Sequence, residues 1–168
     1  MYDYDDYFYC EDSSLDLRRF SHCSSQRKPD LAYISARAEP QTVIPNTSIV
    51  YGAPFSSHGD KISHIPLTTN FILEGGYNYY IEFGVNGLAS TLMQGMFFAV
   101  TVNSLAKDGR ATSSNINGTL PYNSAWGSYF VSVPCNETYT ITIQNIGLDT
   151  ITNTNSSISI LQVSGKVN

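Results

Sequence analysis

The residues able to do covalent chemistry are few and widely spaced. The thiols are Cys10, Cys23 and Cys135, and an odd count leaves one thiol over unless pairing crosses chains. One interpretation is an interchain disulfide that joins one subunit to its neighbour. The other is that all three remain thiols, which is the usual state in a reducing cytosol. The sequence leaves both interpretations open.

The histidines and carboxylates form no catalytic or metal-binding motif. His22, His58 and His64 show neither CxxC nor HxxxH spacing, so we expect no metal and no other cofactor. Glu74 and Glu82 lie at even spacing in or beside predicted strands, where they could share one face of a sheet. That placement favours a solvated or pore-lining role over general acid–base catalysis. The chain also lacks a G-x-S-x-G elbow and a P-loop, so we expect no enzymatic activity.

Length and charge exclude several classes of partner. The chain has 168 residues and a formal net charge of −5, which suits about one domain with its own core. It has no run of Lys and Arg, so nucleic acid is not an expected partner. No stretch approaches the roughly 18 apolar residues of a membrane span, and the first ten residues do not resemble a secretory signal.

The charges divide the chain into a 30-residue N-terminal arm and a domain over residues 31–168. Residues 1–39 hold 8 of the 14 acidic residues and 5 of the 9 basic ones. In the rest of the chain Ser, Thr and Asn supply most of the polarity, which suits a surface that packs against copies of itself. The arm is either a disordered tail or a docking segment. Its aromatic residues, which favour docking because tyrosine suits interfaces, are Tyr2, Tyr4, Tyr7, Phe8 and Tyr9.

The hydrophobic pattern of residues 31–168 predicts an all-β fold. Apolar and polar residues alternate with period two over 77–86, 96–103, 129–133 and 138–143. Gly, Pro, Asn and Asp mark turns between these runs, including one at Asp108-Gly109. The spacing predicts about 8–10 antiparallel strands in a sandwich, jelly roll or barrel. Near the C-terminus, Leu161 and Val163 predict a bulge that shifts the phase of the last strand.

Some predicted strands also carry aromatic residues on the face that a monomer would turn to water. These are Tyr80, Phe97 and Phe130, and we interpret them as an oligomer interface that faces the other subunits. The one tryptophan, Trp126, has two interpretations. We favour the interpretation that Trp126 is a partly buried anchor in a loop. The alternative is that a sugar ring stacks on its indole.

Several segments resemble the trimeric jelly-roll domains that end the collagen-like spore-surface proteins of the BclA family. These domains are related in fold to complement-type and tumour-necrosis-factor-type jelly rolls. The resemblance covers roughly residues 31–168 and depends on the order and pattern of the predicted strands. The matching segments are residues 31–34 and 41–46 at the start, the strand–Gly turn–strand unit 70–81, the central strand 98–103, and the last two strands 140–147 and 157–163.

The resemblance implies an antiparallel jelly roll of ten strands, a homotrimer, and a non-enzymatic role on the bacterial spore surface. The chain lacks the Gly-X-Y tract of the collagen-like members, and the arm stands in its place. We therefore expect trimers that stack head to tail through their arms into an appendage fibre or an exosporium layer, with an anchoring protein of the outer layer as a second partner. Synthesis in the mother-cell cytosol needs no signal peptide. The alternatives are a receptor- or glycan-binding trimeric head and a viral capsid or decoration subunit.

Overall fold

The computed structural model describes residues 31–89, 95–113 and 122–164, with side chains described over 31–89, 95–106 and 123–164. These residues form ten β-strands, and no helix among them is long and apolar enough to cross a membrane. The predicted arm, residues 1–30, lies outside the described residues. The strands are β1 (Tyr33–Val43), β2 (Pro54–His58), β3 (Ile62–His64), β4 (Phe71–Glu74), β5 (Tyr77–Ala89), β6 (Met96–Val102), β7 (Leu105–Ser113), β8 (Tyr122–Val133), β9 (Thr138–Asn145) and β10 (Ile151–Gln162).

The strands form two antiparallel sheets of five strands each. Sheet 1 has the order β2-β1-β10-β5-β8, and sheet 2 has the order β3-β4-β9-β6-β7. Most neighbours within a sheet are distant in sequence, as the pairing of β1 with β10 illustrates. The all-β prediction and the expected number of strands are both confirmed.

The core lies between the two sheets and follows the alternation of the sequence. In β5 the side chains of Tyr79, Ile81, Phe83 and Val85 are buried, because alternate side chains of a strand point to the same face. Phe71, Phe98, Ile141 and Ile143 meet them from sheet 2 and are also fully buried. Full burial of an apolar side chain of this size stabilises the fold by roughly 1.5–3 kcal/mol.

Three local predictions were wrong. The register between β10 and β5 runs without interruption from Asn155 to Gln162, so no bulge shifts the phase at Leu161. The irregularity lies between Thr152 and Asn155, where Asn153 has a positive φ of 51°. Residues 108 and 109 lie within β7 and not in a turn. Trp126 lies in the middle of β8, and 63% of its surface is exposed, so it is not a buried loop anchor.

One end of the sandwich collects most of its short turns. The strand pairings place the start of β1 beside the end of β10, and the end of β8 beside the start of β5. The same end therefore holds residue 31, the turn 103–104 between β6 and β7, and the turn 134–137 between β8 and β9. The turn 146–150 between β9 and β10 lies at the opposite end. We call the first of these the arm-root end, because the described chain begins there.

Candidate assembly surface

Four large side chains form a continuous row across the outward face of sheet 1. Tyr33 on β1 pairs with Leu161 on β10, Leu161 pairs with Tyr80 on β5, and Tyr80 pairs with Phe130 on β8. Directly paired residues in an antiparallel sheet share a face and lie about 5 Å apart. The four residues, which we call the apolar row, therefore cross four neighbouring strands near the arm-root end.

The apolar row is substantially open to solvent. The exposed fractions are 39% for Tyr33, 42% for Leu161, 40% for Tyr80 and 54% for Phe130. At the β1 end of the row, the His58 ring stacks on the Tyr33 ring with centroids 5.9 Å apart. Scattered exposed apolar residues are ordinary, whereas a contiguous apolar band on a sheet face marks an interaction surface.

Polar residues occupy the next position along the same face. Ser56, Ser35, Ser159, Glu82 and Ser128 pair in that order across all five strands of sheet 1. The hydroxyl oxygens of Ser35 and Ser159 are 2.9 Å apart and hydrogen-bonded. Because serine side chains are short, this polar strip forms a shallow band beside the larger side chains of the apolar row.

Trp126 lies flat on the sheet one position further along. Its cross-strand partner is Gly84, and a Cβ atom at Gly84 would lie 2.5 Å from Cζ3 of the indole. Only glycine leaves the ring room to lie against the backbone here. Ser157 and Arg37 continue this line across the sheet, and the guanidinium carbon of Arg37 lies 5.1 Å from the centre of the Phe55 ring.

The structure unites only part of the aromatic set that the sequence assigned to the interface. Tyr80 and Phe130 are direct cross-strand partners in sheet 1. Phe97 is 40% exposed, but it lies on β6 in sheet 2 and faces outward on the opposite side of the sandwich. Sequence reasoning missed Tyr33 and Leu161. Tyr33 directly precedes the alternating run Ile34, Ala36, Ala38, and the wrongly predicted bulge gave Leu161 the inward phase.

The two carboxylates considered for catalysis lie on different sheets. Glu82 is on the outward face of sheet 1, whereas Glu74 ends β4 in sheet 2. The Glu74 carboxylate is 3.1 Å from Nζ of Lys61, and Asp60 is 3.0 Å from the same atom. These partners raise the pKa of Lys61, with Asp60 contributing most, and Lys61 in turn lowers the pKa of Asp60. Glu74 therefore has an electrostatic partner, and the two glutamates do not form an acid–base pair.

The other candidate chemical residues are separated from one another. Cys135 lies in the turn between β8 and β9, is exposed, and forms no disulfide within the described residues. Cys10 and Cys23 lie outside the described residues, as do His22 and the arm aromatics Tyr2, Tyr4, Tyr7, Phe8 and Tyr9. The ring nitrogens of His64 contact the carbonyl oxygens of Asn70 and Gly52 at 2.9 and 3.0 Å. Among the described residues, no three His, Cys, Asp or Glu side chains cluster as metal ligands would.

Comparison with solved structures identifies the architecture. The globular domain of zebrafish complement 1qA protein matches 80% of this chain and 98% of its own, with a TM-score of 0.59 and 10% identity. The Eiger TNF structure from S. frugiperda matches 81% and 96%, with a TM-score of 0.56 and 12% identity. The PRD1 vertex protein P5 matches 84% and 100%, with a TM-score of 0.50 and 11% identity.

The fold is a jelly roll of the complement 1q and tumour-necrosis-factor type. The likeness covers both sheets of the sandwich, and at 10–12% identity it concerns the fold alone. No protein-family model and no curated protein matches the sequence. The predicted jelly roll is thus confirmed, whereas function has to be argued from the surface of this chain.

Proposed function

We propose that this chain is a non-enzymatic structural protein of the bacterial spore surface that self-assembles as jelly-roll trimers. The arms, residues 1–30, would join trimers to one another or to an anchoring protein of the outer layer, giving a fibre or an outer coat. The apolar row is the observation that supports self-association. The spore location is supported by the sequence resemblance to the BclA domains.

Burial of the apolar row gives a clear energetic reason for assembly. Each of its four side chains exposes between 39% and 54% of its surface. Removing that remaining surface from water contributes roughly 1 kcal/mol for each side chain, which is about half of the gain for full burial. The adjoining strip consists of serines, which cost less to desolvate than charges, and of Glu82, whose carboxylate has to stay solvated or paired in the assembly. A copy that covered this face would gain several kcal/mol before the entropic cost of association.

Two exposed aromatic residues on opposite sheets test this assignment. Tyr80 and Phe97 are each 40% exposed, but only Tyr80 belongs to the apolar row. We expect the unmodified chain to sediment as trimers of about 55 kDa or as multiples of them, because three chains of 18.5 kDa make one trimer. Tyr80→Ser should shift the particles towards monomer, and Phe97→Ser should leave them unchanged.

Light scattering coupled to size exclusion would measure both variants at matched concentration. An unmodified chain that stays monomeric at every concentration would refute self-association. Equal assembly by the two variants would refute the assignment of the interface to sheet 1.

The exposed indole of Trp126 favours one alternative, a glycan-binding trimeric head. An aromatic ring lying flat on a sheet among serine and asparagine side chains has the form of a sugar-stacking platform. A glycan array would separate the proposals, since only this alternative predicts binding that Trp126→Ser abolishes. The fold likeness to a phage vertex protein favours a viral capsid or decoration subunit as a second alternative. Electron microscopy that shows closed shells instead of fibres would favour it.

A further inference from the structure

A cleft of about 400 Å³ opens at the arm-root end of the domain, between the β6–β7 turn and the end of β8. Its lining is largely aromatic and aliphatic. Val102 and Val131 are buried, Tyr129 and Tyr139 are half-buried, and Leu105 is 65% exposed. Phe130 also lines the cleft and connects it with the apolar row.

Three polar side chains that line the cleft, those of Asn103, Ser132 and Tyr139, have partners within the chain. The Asn103 side-chain oxygen accepts a hydrogen bond from the Thr140 N–H at 2.9 Å, and the Ser132 hydroxyl donates to Asn78 at 2.5 Å. Burial raises the pKa of Tyr139, and the neighbouring Glu137 carboxylate raises it further, so this phenol stays protonated. The cleft therefore combines aromatic and aliphatic side chains with polar groups, several of which already have partners. Such a mixed site suits a tyrosine side chain, whose ring is apolar and whose hydroxyl can form a hydrogen bond.

The position of the cleft brings it close to the one cysteine in the described residues. Ser132 lies just before the turn 134–137 and Tyr139 just after it, and that turn carries Cys135. The described chain also begins at this end, since Tyr33 and Phe130 belong to the same row of sheet 1. With a strand spacing of about 4.8 Å, three spacings place the backbones of β1 and β8 roughly 14 Å apart.

The N-terminal arm carries a segment of matching chemistry and sufficient length. Residues 7–10 read Tyr-Phe-Tyr-Cys, so an aromatic run is followed directly by a thiol. In an extended segment, Tyr7 and Tyr9 project to the same side. The 20 residues between Cys10 and residue 31 reach up to roughly 70 Å when extended, which exceeds the span of one domain of this size.

We propose that the cleft is the docking site for the aromatic segment 7–9 of the arm of another copy. Docking there brings Cys10 of one copy to Cys135 of the other. This inference rests on the proposed function, because it names the contact through which the arms would join subunits. The proposed occupant is an aromatic segment of this chain. Occupation of the cleft by a separate ligand is one result that the test below can reveal.

Thiol crosslinking between two full-length variants tests the contact. One variant keeps only Cys10 (Cys23→Ser, Cys135→Ser), and the other keeps only Cys135 (Cys10→Ser, Cys23→Ser) and carries a C-terminal affinity tag. The two are mixed and treated with a short bismaleimide, which forms a thioether with each thiol. We expect a crosslinked band that contains one chain of each kind. An excess of a synthetic peptide of residues 1–9 should reduce that band several-fold.

A pair of exposed leucines provides the cleft variant and its control. Leu105→Asp removes an apolar residue from the cleft and places a negative charge against the acidic arm. Leu148→Asp makes the same change at the opposite end of the domain. The two side chains are 65% and 84% exposed, so neither change should unfold the protein. We expect at least a fivefold loss of crosslinking for Leu105→Asp and no loss for Leu148→Asp.

Each outcome separates this inference from the proposed function. Light scattering of the same mixtures reports self-association independently of crosslinking. Assembled particles without a Cys10–Cys135 crosslink, or with equal crosslinking in both leucine variants, would overturn the cleft assignment and leave self-association standing. Crosslinking that the peptide cannot compete would also overturn it, and would indicate a different occupant. Chains that remain monomeric would overturn both proposals.

Discussion

At the scale of single residues, His64 shows how one side chain fixes two segments. Its Nδ1 atom lies 2.9 Å from the Asn70 carbonyl oxygen, and its Nε2 atom lies 3.0 Å from that of Gly52. The ring also stacks on Phe71 with centroids 4.2 Å apart and an angle of 14° between the planes. His64 therefore links the segment before β2 to β4, and we interpret it as a structural residue and not as a metal ligand.

Replacing His64 with Phe separates its polar role from its aromatic one. A neutral imidazole donates through one ring nitrogen, so the Phe ring keeps the stacking on Phe71 but loses a hydrogen bond to a carbonyl oxygen, and His64→Phe should lower the free energy of unfolding by about 1–3 kcal/mol. Urea unfolding at neutral pH would measure the change. His58→Phe is the comparison, because that ring also stacks on an aromatic ring, Tyr33, but lies exposed at the end of β2, where water can replace any lost polar contact. Equal losses in the two variants would show that hydrogen bonds of His64 are not the cause.

At the scale of elements, Asn145 joins the end of β9 to two neighbouring segments. Its buried amide donates to the carbonyl oxygens of Val43 at the end of β1 and of Asp149 in the β9–β10 turn, at 3.2 and 2.8 Å. Its side-chain oxygen accepts from the Gly147 N–H at 3.0 Å. One buried polar side chain thus forms hydrogen bonds with backbone groups that water does not reach in this part of the fold.

Asn145→Ala should leave these backbone groups without partners in a buried site. We expect a loss of about 2–3 kcal/mol in the free energy of unfolding, because unsatisfied buried polar groups carry a large desolvation cost. Asn86→Ala is the control, because the Asn86 side chain accepts a hydrogen bond from Ser124 on an exposed part of sheet 1. We expect this control to lose only a few tenths of the free energy of unfolding that Asn145→Ala loses. Thermal and urea unfolding would measure both. A loss below about 1 kcal/mol for Asn145→Ala would mean that other groups or water replace its hydrogen bonds.

At the scale of the whole molecule, the two ends of the sandwich differ in what they carry. The arm-root end holds the start of the described chain, the aromatic cleft and Cys135. The apolar row lies on the side of the sandwich near the same end. The proposed lateral assembly through sheet 1 and the proposed connection through the arms therefore use neighbouring surfaces that meet at Phe130. Removal of the arm should leave assembly through sheet 1 intact.

Deletion of residues 1–20 tests this separation. The deletion removes the segment 7–9 and Cys10 but leaves the apolar row unchanged, so the shortened chain should still form trimers and should no longer form fibres. Negative-stain electron microscopy would detect fibres, and light scattering would report the mass of the remaining particles. Fibres formed by the shortened chain would contradict the proposed role of the arm.

Periodicity in the sequence determined the fold class and most of the inward-facing residues. The runs 77–85 and 139–143 alternate cleanly because one face of each strand is buried, and that constraint is local in the chain. The prediction failed at Leu161, because an exposed leucine on an interaction surface breaks the local rule that large apolar residues face the core. It also failed at Trp126, because only the cross-strand partner Gly84 gives that indole its place on the open face.

The sequence alone established an all-β domain, an acidic and tyrosine-rich N-terminal segment and an excess of aromatic residues. Only the tertiary structure decided which of those aromatic residues share a surface. Tyr33, Leu161, Tyr80 and Phe130 lie on four strands far apart in sequence, and the long-range registers of β1, β10, β5 and β8 align them. The same pairings send Phe97 to the opposite sheet. Hydrophobic patterning fixes which way a side chain points within its strand, whereas strand order, which decides its neighbours, depends on contacts across the whole chain.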